Sequence, residues 1–561
     1  MSSGTHRGGL GWPSIISEDG KSVRNAFRGN MKLSRILAGA AAAGILGLFL
    51  LWPVGLILCY PTIPRAALVL ANEHWFEALW HSVAMAVLAG GTATALGVAY
   101  AYALVRIRVR WSGLLHAIAL LPILAPPFVI SISYILLFGR NGLITKQLLQ
   151  MQLDIYGWKG LWLVQTLTFF PLAYLTLASV LRSIPGNLEQ AASNLGASNA
   201  RVFRDVTVPL LRPGLVASML LVGISVLADF GNPVIIAGDF AMLPTLAYLK
   251  VTGWFDLDAA SVLASLLLAP TVVLFLIQRV WLGRRSYVTV SGKTTQQSHP
   301  PAPVWMARTA RIVSYAAAGL IVLVYGILAY GSVSQAWGYD YSLTLRHFTQ
   351  LGRRIPSLAN TMQYSFFGAV VSVLLATALA YVVTRKKIPV PGAFDFFATV
   401  PAAIPGLFLG LGYVVAFNRD PIRLTGTSFI IILALGLWNL PTAYRYAMAN
   451  LAQLSEQLEQ AAANLGARPV RVVSSITMPL LRGALLAGGT VTFLRNVTCL
   501  SVIIFLVTPR TPMATTDVLA LVEGGEWGQA ASLSIVLLGI ALSLLFGGIR
   551  LIRHIGQELE L

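Results

Sequence analysis

Long apolar runs separated by short polar segments make up most of this chain. A helix needs about 20 mostly apolar residues to cross the roughly 30 Å hydrocarbon core of a bilayer. Runs of about that length lie at about 36–60, 82–105, 112–139, 161–181, 214–237, 259–281, 311–334, 362–384, 392–417, 428–450, 483–507 and 529–549. The pattern therefore predicts an all-α membrane protein with twelve transmembrane helices.

Composition supports a protein that crosses the membrane many times. Of the 561 residues, 56% are hydrophobic and 11% are charged, and the mean hydropathy is +0.74, far from the usual composition of a soluble chain. The two cysteines, Cys59 and Cys499, both lie inside apolar runs. Neither a disulfide framework nor a metal cluster is therefore indicated.

The net charge of +19 raises the possibility of a nucleic-acid partner, but the distribution of the basic residues argues against one. With the N-terminus inside, most of the 40 Lys and Arg residues fall in segments on the cytoplasmic side, as the positive-inside rule expects. The distribution predicts a multi-pass protein with both termini in the cytoplasm.

Polar segments predict the boundaries of two six-helix domains. Residues 1–35 are interpreted as a basic cytoplasmic tail that orients the first span, and residues 555–561 as a second cytoplasmic tail. Residues 284–310 are polar and rich in proline, which is typical of a linker. The first domain accordingly covers 36–283 and the second covers 311–554.

One stretch of the chain occurs twice. Residues 188–212 read LEQAASNLGASNARVFRDVTVPLLR and residues 458–482 read LEQAAANLGARPVRVVSSITMPLLR; we call them repeat loop 1 and repeat loop 2. The match between the halves extends beyond the loops, since Arg106 aligns with Arg385 and Pro122 with Pro401. An even number of spans in each half makes the two repeats parallel, related by an axis along the membrane normal.

The spacing of apolar residues predicts a short helix at the start of each repeat loop. Four apolar positions recur at i, i+3, i+4 and i+7, which places them on one helix face: Leu188, Ala191, Ala192 and Leu195, matched by Leu458, Ala461, Ala462 and Leu465. A glycine follows where a helix C-terminus favours positive φ, at Gly196 and Gly466. A second helix can begin at Ser198 or Pro469, and we expect Pro209 and Pro479 to end it.

This arrangement resembles the signature loop of bacterial ABC importer permeases, in which an EAA sequence precedes a glycine and an apolar-x-apolar-Pro sequence. The resemblance implies a coupling helix that docks on a cytoplasmic ATPase, with two ATPase copies, an external or periplasmic substrate-binding protein, and a location in the bacterial plasma membrane. The implied coupling residues are Glu189, Gln190, Ala191, Ala192, Gly196 and Pro209 in loop 1, and Glu459, Gln460, Ala461, Ala462, Gly466 and Pro479 in loop 2. The family places its glutamate six residues before the glycine, where this chain has Gln190 and Gln460; the acid lies one position earlier. An ordinary amphipathic helix at the membrane surface is the alternative.

The resemblance also places ATP and Mg on a separate subunit. Gly20-Lys21-Ser22 and Gly292-Lys293-Thr294 imitate the end of a phosphate-binding loop, but Ile15 and Tyr287 replace its earlier glycine. We therefore expect a transport subunit that is not an enzyme and binds no cofactor.

Polar residues inside apolar runs are candidates for the translocation path, because a charge in the membrane costs about 3 kcal/mol or more. Asp229 lies in the fifth predicted span and Arg495 in the eleventh. One hypothesis is that a path is lined by Asp229, Asn232, Arg495, Asn496 and Thr498. The alternative is a structural role, either as a pair between Asp229 and Arg495 or as hydrogen-bonded packing. Prolines at 122, 126, 127, 401 and 405 are expected to kink the third span of each half.

Three phrases resemble ferric-iron permeases of the fused, two-domain type: LADFGNPVIIAGDF at 227–240, VPAAIPGLFLGLGYVVAFN at 400–418 and FLRNVTCLSVIIFLVTP at 493–509. The resemblance implies import of ferric iron, although related permeases carry 2-aminoethylphosphonate, sugar phosphates, thiamine or other small solutes. The rival class is a secondary transporter of the major-facilitator kind. That class expects a Gly-x-x-x-Asp-Arg loop after the second span, where this chain has only Arg106, Arg108 and Arg110.

Overall fold

The computed structural model describes residues 41–72, 74–151, 154–283, 300–385 and 391–554. Within these ranges the chain is helical apart from one two-stranded hairpin and connecting turns. The two predicted tails, and the linker as far as residue 299, lie outside the described residues.

Long helices in the first half are Ala41–Cys59, Trp75–Ile107, Trp158–Ser183, Asn199–Leu227 and Leu257–Gly283. Shorter helices are Ile63–Asn72, Ser112–Leu124, Phe128–Phe138, Leu143–Leu148, Gly186–Asn194, Gly231–Ile236 and Leu243–Thr252. The long helices lack a strongly polar face, which suits helices surrounded by lipid and by other apolar helices.

The second half repeats this order with changes in length. Its helices are Val304–Val333, Arg346–Thr384, Pro391–Ala403, Gly406–Phe417, Ser428–Trp438, Leu440–Leu451, Glu456–Asn464, Val470–Val497, Ala514–Glu523 and Trp527–His554. The strands Ser334–Ala336 and Asp340–Leu343 form an antiparallel hairpin after the first of these helices.

Ten helical segments in the described ranges, with Phe128–Leu148 counted as one, are long and apolar enough to cross a membrane, or eleven if the bent pair Pro391–Ala403 and Gly406–Phe417 is one span. The all-α membrane fold predicted from the sequence is confirmed. The layout of twelve spans in two parallel repeats stays a prediction, because helices such as Ser112–Leu124 and Ser428–Trp438 are short for a bilayer when taken alone.

The third predicted span of each half is interrupted at its prolines. In the first half, helix Ser112–Leu124 ends at Ala125, which has extended backbone, and a new helix begins at Phe128. In the second half the chain bends by 105° between Ala403 and Gly406. Pro126, Pro127 and Pro405 cannot donate a helical hydrogen bond and disfavour helix in the residue before them. The predicted kinks are therefore full breaks.

In each half, the helix of the fifth predicted span ends earlier than its predicted range, which was 214–237 in the first half and 483–507 in the second. One helix stops at Leu227 and resumes at Gly231–Ile236, while the other stops at Val497 and gives way to turns. In the first half, the Asp229 carboxylate accepts the backbone N–H of Asn232 at 3.3 Å, and Pro233 has no N–H to donate. A continuous span was thus the wrong prediction here.

The helix that opens the second half begins at Val304, inside the segment 284–310 predicted as linker. Pro303 precedes its first residue in non-helical backbone, a position that proline tolerates because no helical N–H is needed there. The linker prediction therefore ran too far at its C-terminal end.

The first helix of each half packs on the other half. Phe49, in helix Ala41–Cys59, lies 5.6 Å from Phe417 between ring centroids. On the other side, the Tyr315 hydroxyl in helix Val304–Val333 donates a 2.8 Å hydrogen bond to the carbonyl of Arg110. This exchange of helices joins the two repeats into one body.

Candidate functional site

Each repeat loop begins as a short helix followed by a glycine turn. The helices are Gly186–Asn194 and Glu456–Asn464. Gly196 and Gly466 follow with φ of +85° and +84°, a left-handed conformation that glycine adopts without a steric penalty. No atom lies within 4 Å of where their Cβ atoms would be, so backbone conformation rather than crowding accounts for these glycines. The predicted helix and glycine turn are confirmed.

The second helix of each repeat loop continues into the fifth span. Helices Asn199–Leu227 and Val470–Val497 pass through Pro209 and Pro479 without a break, so the prediction that these prolines end a helix is wrong. A π-helical turn precedes each proline, at Phe203–Thr207 and Val473–Thr477. Proline has no N–H to donate to the preceding turn, and the wider π-helical turn lets the helix continue without that hydrogen bond.

Glu189 faces its own half of the protein. Its Oε1 accepts a 2.8 Å hydrogen bond from the Thr207 hydroxyl and lies 3.4 Å from Nη2 of Arg106. Arg106 comes from the end of helix Trp75–Ile107, and the side chains of both charged residues are only 5% exposed. The carboxylate therefore ties repeat loop 1 to the second and fifth spans.

Glu459 makes the matching contacts in the second half. Its Oε1 accepts hydrogen bonds from Nε and Nη2 of Arg385 at 3.1 and 2.9 Å and from the Thr477 hydroxyl at 3.2 Å. The Tyr381 hydroxyl donates to Oε2 at 3.2 Å. Bonds to charged groups are stronger than neutral ones, so this carboxylate is a strong internal anchor.

These contacts account for the displaced acid in the sequence pattern. A shift of one residue along a helix corresponds to about 100° of rotation. The side chains of Glu189 and Glu459 point inward, toward their own half of the protein. Gln190 is half-buried and Gln460 is exposed. The glutamate at the start of each repeat loop thus makes its contacts inside the permease domain rather than on its surface.

The apolar stripe of each repeat loop faces outward. Leu188 and Leu195 are 47% and 89% exposed, and their counterparts Leu458 and Leu465 are 49% and 88% exposed. Ala191 and Ala461 are also exposed, while Ala192 and Ala462 are half-buried. Two apolar surfaces of the same shape are therefore open to a partner.

Asp229 and Asn232 belong to a buried hydrogen-bond network in the first half. The Asp229 Oδ2 accepts from the side-chain amides of Gln165 at 3.0 Å and Asn232 at 2.9 Å. Asn232 in turn accepts from the Ser131 hydroxyl at 2.8 Å. The network joins the helix break after Leu227 to the third and fourth spans.

In the second half, Asn496 is fully buried. It accepts a 2.7 Å hydrogen bond from the Asn439 side chain and donates one at 3.0 Å to the carbonyl of Ser365. Thr498 is also buried and donates to the Leu494 carbonyl at 3.2 Å. In contrast, the Arg495 side chain is exposed and donates to the Thr442 hydroxyl at 2.8 Å.

The five candidate path residues do not form one cluster of contacts. No ion pair joins Asp229 to Arg495 in the part of the chain that the structure describes, so the suggested structural pair is absent. Sequence reasoning also missed the partners Arg106, Arg385, Thr207 and Thr477. Their occurrence at matching positions in both halves was the signal that could have identified them.

The described ranges hold no group of three or more His, Cys, Asp and Glu side chains placed to bind a metal ion. The sequences that imitate a phosphate-binding loop, 20–22 and 292–294, lie outside those ranges.

Comparison with known proteins places these features in a family. Residues 91–286 match the family described as binding-protein-dependent transport system inner membrane component. The chain is 34% identical over 489 residues to the ferric transport system permease protein FbpB of Actinobacillus pleuropneumoniae, which covers 85% of this chain and 71% of that protein. It is also 34% identical over 457 residues to a putative ferric transport system permease protein of Haemophilus influenzae, with coverage of 79% and 72%.

A putative 2-aminoethylphosphonate transport system permease protein of Salmonella choleraesuis is 23% identical over 264 residues, which is 46% of this chain and 100% of that protein. The longer matches cover 79% or more of this chain and therefore extend over both halves. On this evidence the chain belongs to the permease subunits of ABC importers, which are non-enzymatic membrane components, and within them it resembles the ferric-iron permeases.

Proposed function

We propose that this chain is the permease of an ATP-driven importer that moves ferric iron, delivered by an external binding protein, across the bacterial plasma membrane by alternating access. Both termini and both repeat loops lie in the cytoplasm in this proposal. Two copies of a cytoplasmic ATPase, which carry ATP and Mg, engage the two loops. The names of the two relatives that are 34% identical support ferric iron as the cargo.

The observation that carries the proposal is the pair of exposed apolar stripes on anchored loops. An exposed leucine such as Leu195 or Leu465 is a suitable contact for a groove on a partner. The inward carboxylates Glu189 and Glu459 connect each loop to the second and fifth spans of its half. Movement of a docked ATPase would therefore reach the membrane helices through these contacts.

Alternating access places a condition on the ATPase. Its closed, ATP-bound form must favour one conformation of the permease over the other, since a ligand with equal affinity for both shifts nothing. Closure would draw the two repeat loops together and rock the halves about the axis between them. In this mechanism Arg495 faces the interior of the path. Asp229, Asn232, Asn496 and Thr498 are buried, and their hydrogen bonds hold the helix ends beside the path.

The same machinery carrying another small solute is the second candidate. The similarity to a putative 2-aminoethylphosphonate permease favours a phosphonate as that solute. Sugar phosphates and thiamine remain less supported cargoes. Because the chain belongs to the ABC permeases, a secondary transporter of the major-facilitator kind is no longer a candidate.

The docking proposal is tested with Leu195→Asp and Leu465→Asp, which place a charge on each exposed stripe without touching the core. We expect both variants to fold, to lose co-purification with the ATPase and to lose ATP-dependent uptake. Leu345→Asp is the matched control, because Leu345 is also exposed, at 68%, and lies outside the repeat loops. Normal ATPase binding and uptake in both loop variants would overturn the proposal.

The cargo is tested by uptake of radiolabelled ferric iron in iron-starved cells with and without this chain, with phosphonate uptake measured in parallel. Loss of iron uptake alone supports ferric iron. Unchanged iron uptake with lost phosphonate uptake assigns the permease to the second candidate.

A further inference from the structure

Two arginines lie close together in the membrane-spanning part of the second half. Arg445 belongs to helix Leu440–Leu451 and Arg495 to helix Val470–Val497. Both side chains are exposed, and the Arg495 guanidinium reaches Thr442, which lies three residues before Arg445 on the same helix. Charged side chains at such positions are costly, by about 3 kcal/mol each, and usually mark a functional site.

The protein provides little compensation for these two charges. Arg495 donates to the neutral hydroxyl of Thr442, one helical turn before Arg445. Arg445 has no hydrogen-bond or ion-pair partner among the residues that the structure describes. The Asp395 carboxylate contacts the residue next to Arg445 rather than Arg445 itself: its oxygens accept from the Tyr444 hydroxyl at 2.9 Å and from Arg279 at 2.6 Å.

Neighbouring residues show the direction in which Arg495 points. Phe493 packs against Phe366 at 6.0 Å between ring centroids, and Phe366 is 52% exposed on a long apolar helix, as expected for a side chain in contact with lipid. Two residues further on, Arg495 is about 200° around the helix. Its guanidinium therefore points away from that lipid-facing side.

The repeat relates Arg495 to Ser225 of the first half. Helices Val208–Leu227 and Met478–Val497 are both 20 residues long and keep the offset of 270 residues that the repeat loops set. Arg445 matches Leu175 at the same offset. The two arginines therefore have no charged counterparts in the first half.

We propose that Arg445, Arg495 and Thr442 form an anion-binding site in the second half, for a small ligand that presents carboxylate or phosphate-like oxygens. Two guanidinium groups and a hydroxyl can bind such oxygens with paired, charge-assisted hydrogen bonds. The same charges repel a bare trivalent cation. Where the cargo is ferric iron, it therefore crosses as an anionic complex; this part rests on the proposed function.

Binding is tested first without transport. The full-length chain in lipid nanodiscs is heated in sodium phosphate, sodium citrate or sodium chloride at matched ionic strength. We expect phosphate or citrate to raise the unfolding midpoint of the unmodified protein, and we expect Arg445→Gln and Arg495→Gln to lose this increase. Arg495→Lys, which keeps the charge, should retain part of it. Equal responses in the unmodified protein and both Gln variants would overturn the site, and their midpoints in chloride report whether each variant folds.

Transport distinguishes a free anion from an anionic metal complex. Vesicles containing the complete transporter receive radiolabelled ferric iron together with citrate that carries a different label. Entry of both labels, reduced roughly tenfold or more in Arg495→Gln as expected for one lost charge-assisted hydrogen bond, supports the complex. Entry of citrate alone supports the free anion, and entry of iron alone overturns the anionic cargo.

Different results would overturn the proposed function and the anion site. Without ATP-dependent uptake of any label in the unmodified transporter, the proposed function is wrong. With normal ATP-dependent iron uptake in the unmodified protein and in both Gln variants, only the anion site is wrong.

Discussion

Single side chains hold each repeat loop against its own half of the protein. The carboxylate of Glu459 is shared by Arg385, Thr477 and Tyr381 at distances of 2.9 to 3.2 Å. Its side chain is 11% exposed and that of Arg385 is 4% exposed. A buried ion pair is not always stabilising overall, but removal of one partner leaves the other charge uncompensated.

Glu459→Gln should therefore destabilise the second half by about 3–5 kcal/mol, the usual cost of leaving a buried charge unpaired. The unfolding midpoint of the purified protein measures this loss. Glu456→Gln is the matched control, because Glu456 lies on the same helix and is exposed. The double variant Arg385→Met, Glu459→Leu removes both charges and should recover most of the stability. An unchanged midpoint in Glu459→Gln would show that the pair is not an anchor.

The sequence predicts the importance of these glutamates but not their direction. Amphipathic spacing indicates an outward apolar face, and a charged residue next to it is expected to contact a partner. The inward direction depends on Arg385, which lies 74 residues away along the chain. A contact at that separation is decided by the packing of whole helices, which local spacing does not contain.

At the level of elements, the helix and glycine turn of each repeat loop follow from local rules. Gly196 and Gly466 have positive φ, and the preceding helices end within two residues of them. The prolines that follow do not identify a helix end, because proline is compatible with the first turn of a helix as well as with the residues after it. Local chemistry alone leaves these two roles of Pro209 and Pro479 undecided.

Gly196→Val and Gly466→Val should distort the turn while leaving the membrane helices folded. A β-branched residue at positive φ costs about 1–3 kcal/mol, and the open space around each glycine means that no further clash adds to it. We expect ATP hydrolysis to continue without matching uptake. Both rates are measured in reconstituted vesicles. Gly113→Val is the control, since Gly113 also has open space around it but no positive φ. Full coupling in both loop variants would contradict a role for the turn.

Hydropathy does not predict the breaks in the third span of each half. Residues on both sides of Pro126 and Pro405 are equally apolar, so hydropathy predicts one helix across each site. Proline removes a helical N–H, but surrounding helices decide whether the result is a kink or a break. Here the bend of 105° at the second site separates two helices.

For the whole molecule, the internal repeat predicts two related halves but not the contacts between them. Arg279 of the first half donates to Asp395 of the second at 2.6 Å and to Thr399 at 2.8 Å. At the offset of 279 residues, the acceptors Asp395 and Thr399 match His116 and Leu120, so this pair of acceptors is not repeated in the first half. The repeat predicts a fold that the halves share, whereas the contacts between them depend on side chains that differ at matched positions.

The two native cysteines allow the orientation of the whole molecule to be tested. Cys59 is exposed at the end of helix Ala41–Cys59, and Cys499 is buried. If the N-terminus is cytoplasmic, Cys59 lies at the outer end of the first span, opposite the repeat loops. In spheroplasts, a membrane-impermeant maleimide should label Cys59 and leave Cys499 unmodified. In a Cys59→Ser background, Leu195→Cys should react only after the membrane is opened, because Leu195 is exposed but on the cytoplasmic side. Labelling of Leu195→Cys in sealed spheroplasts would place repeat loop 1 outside, where no cytoplasmic ATPase could reach it, and coupling through these loops would then have to be abandoned.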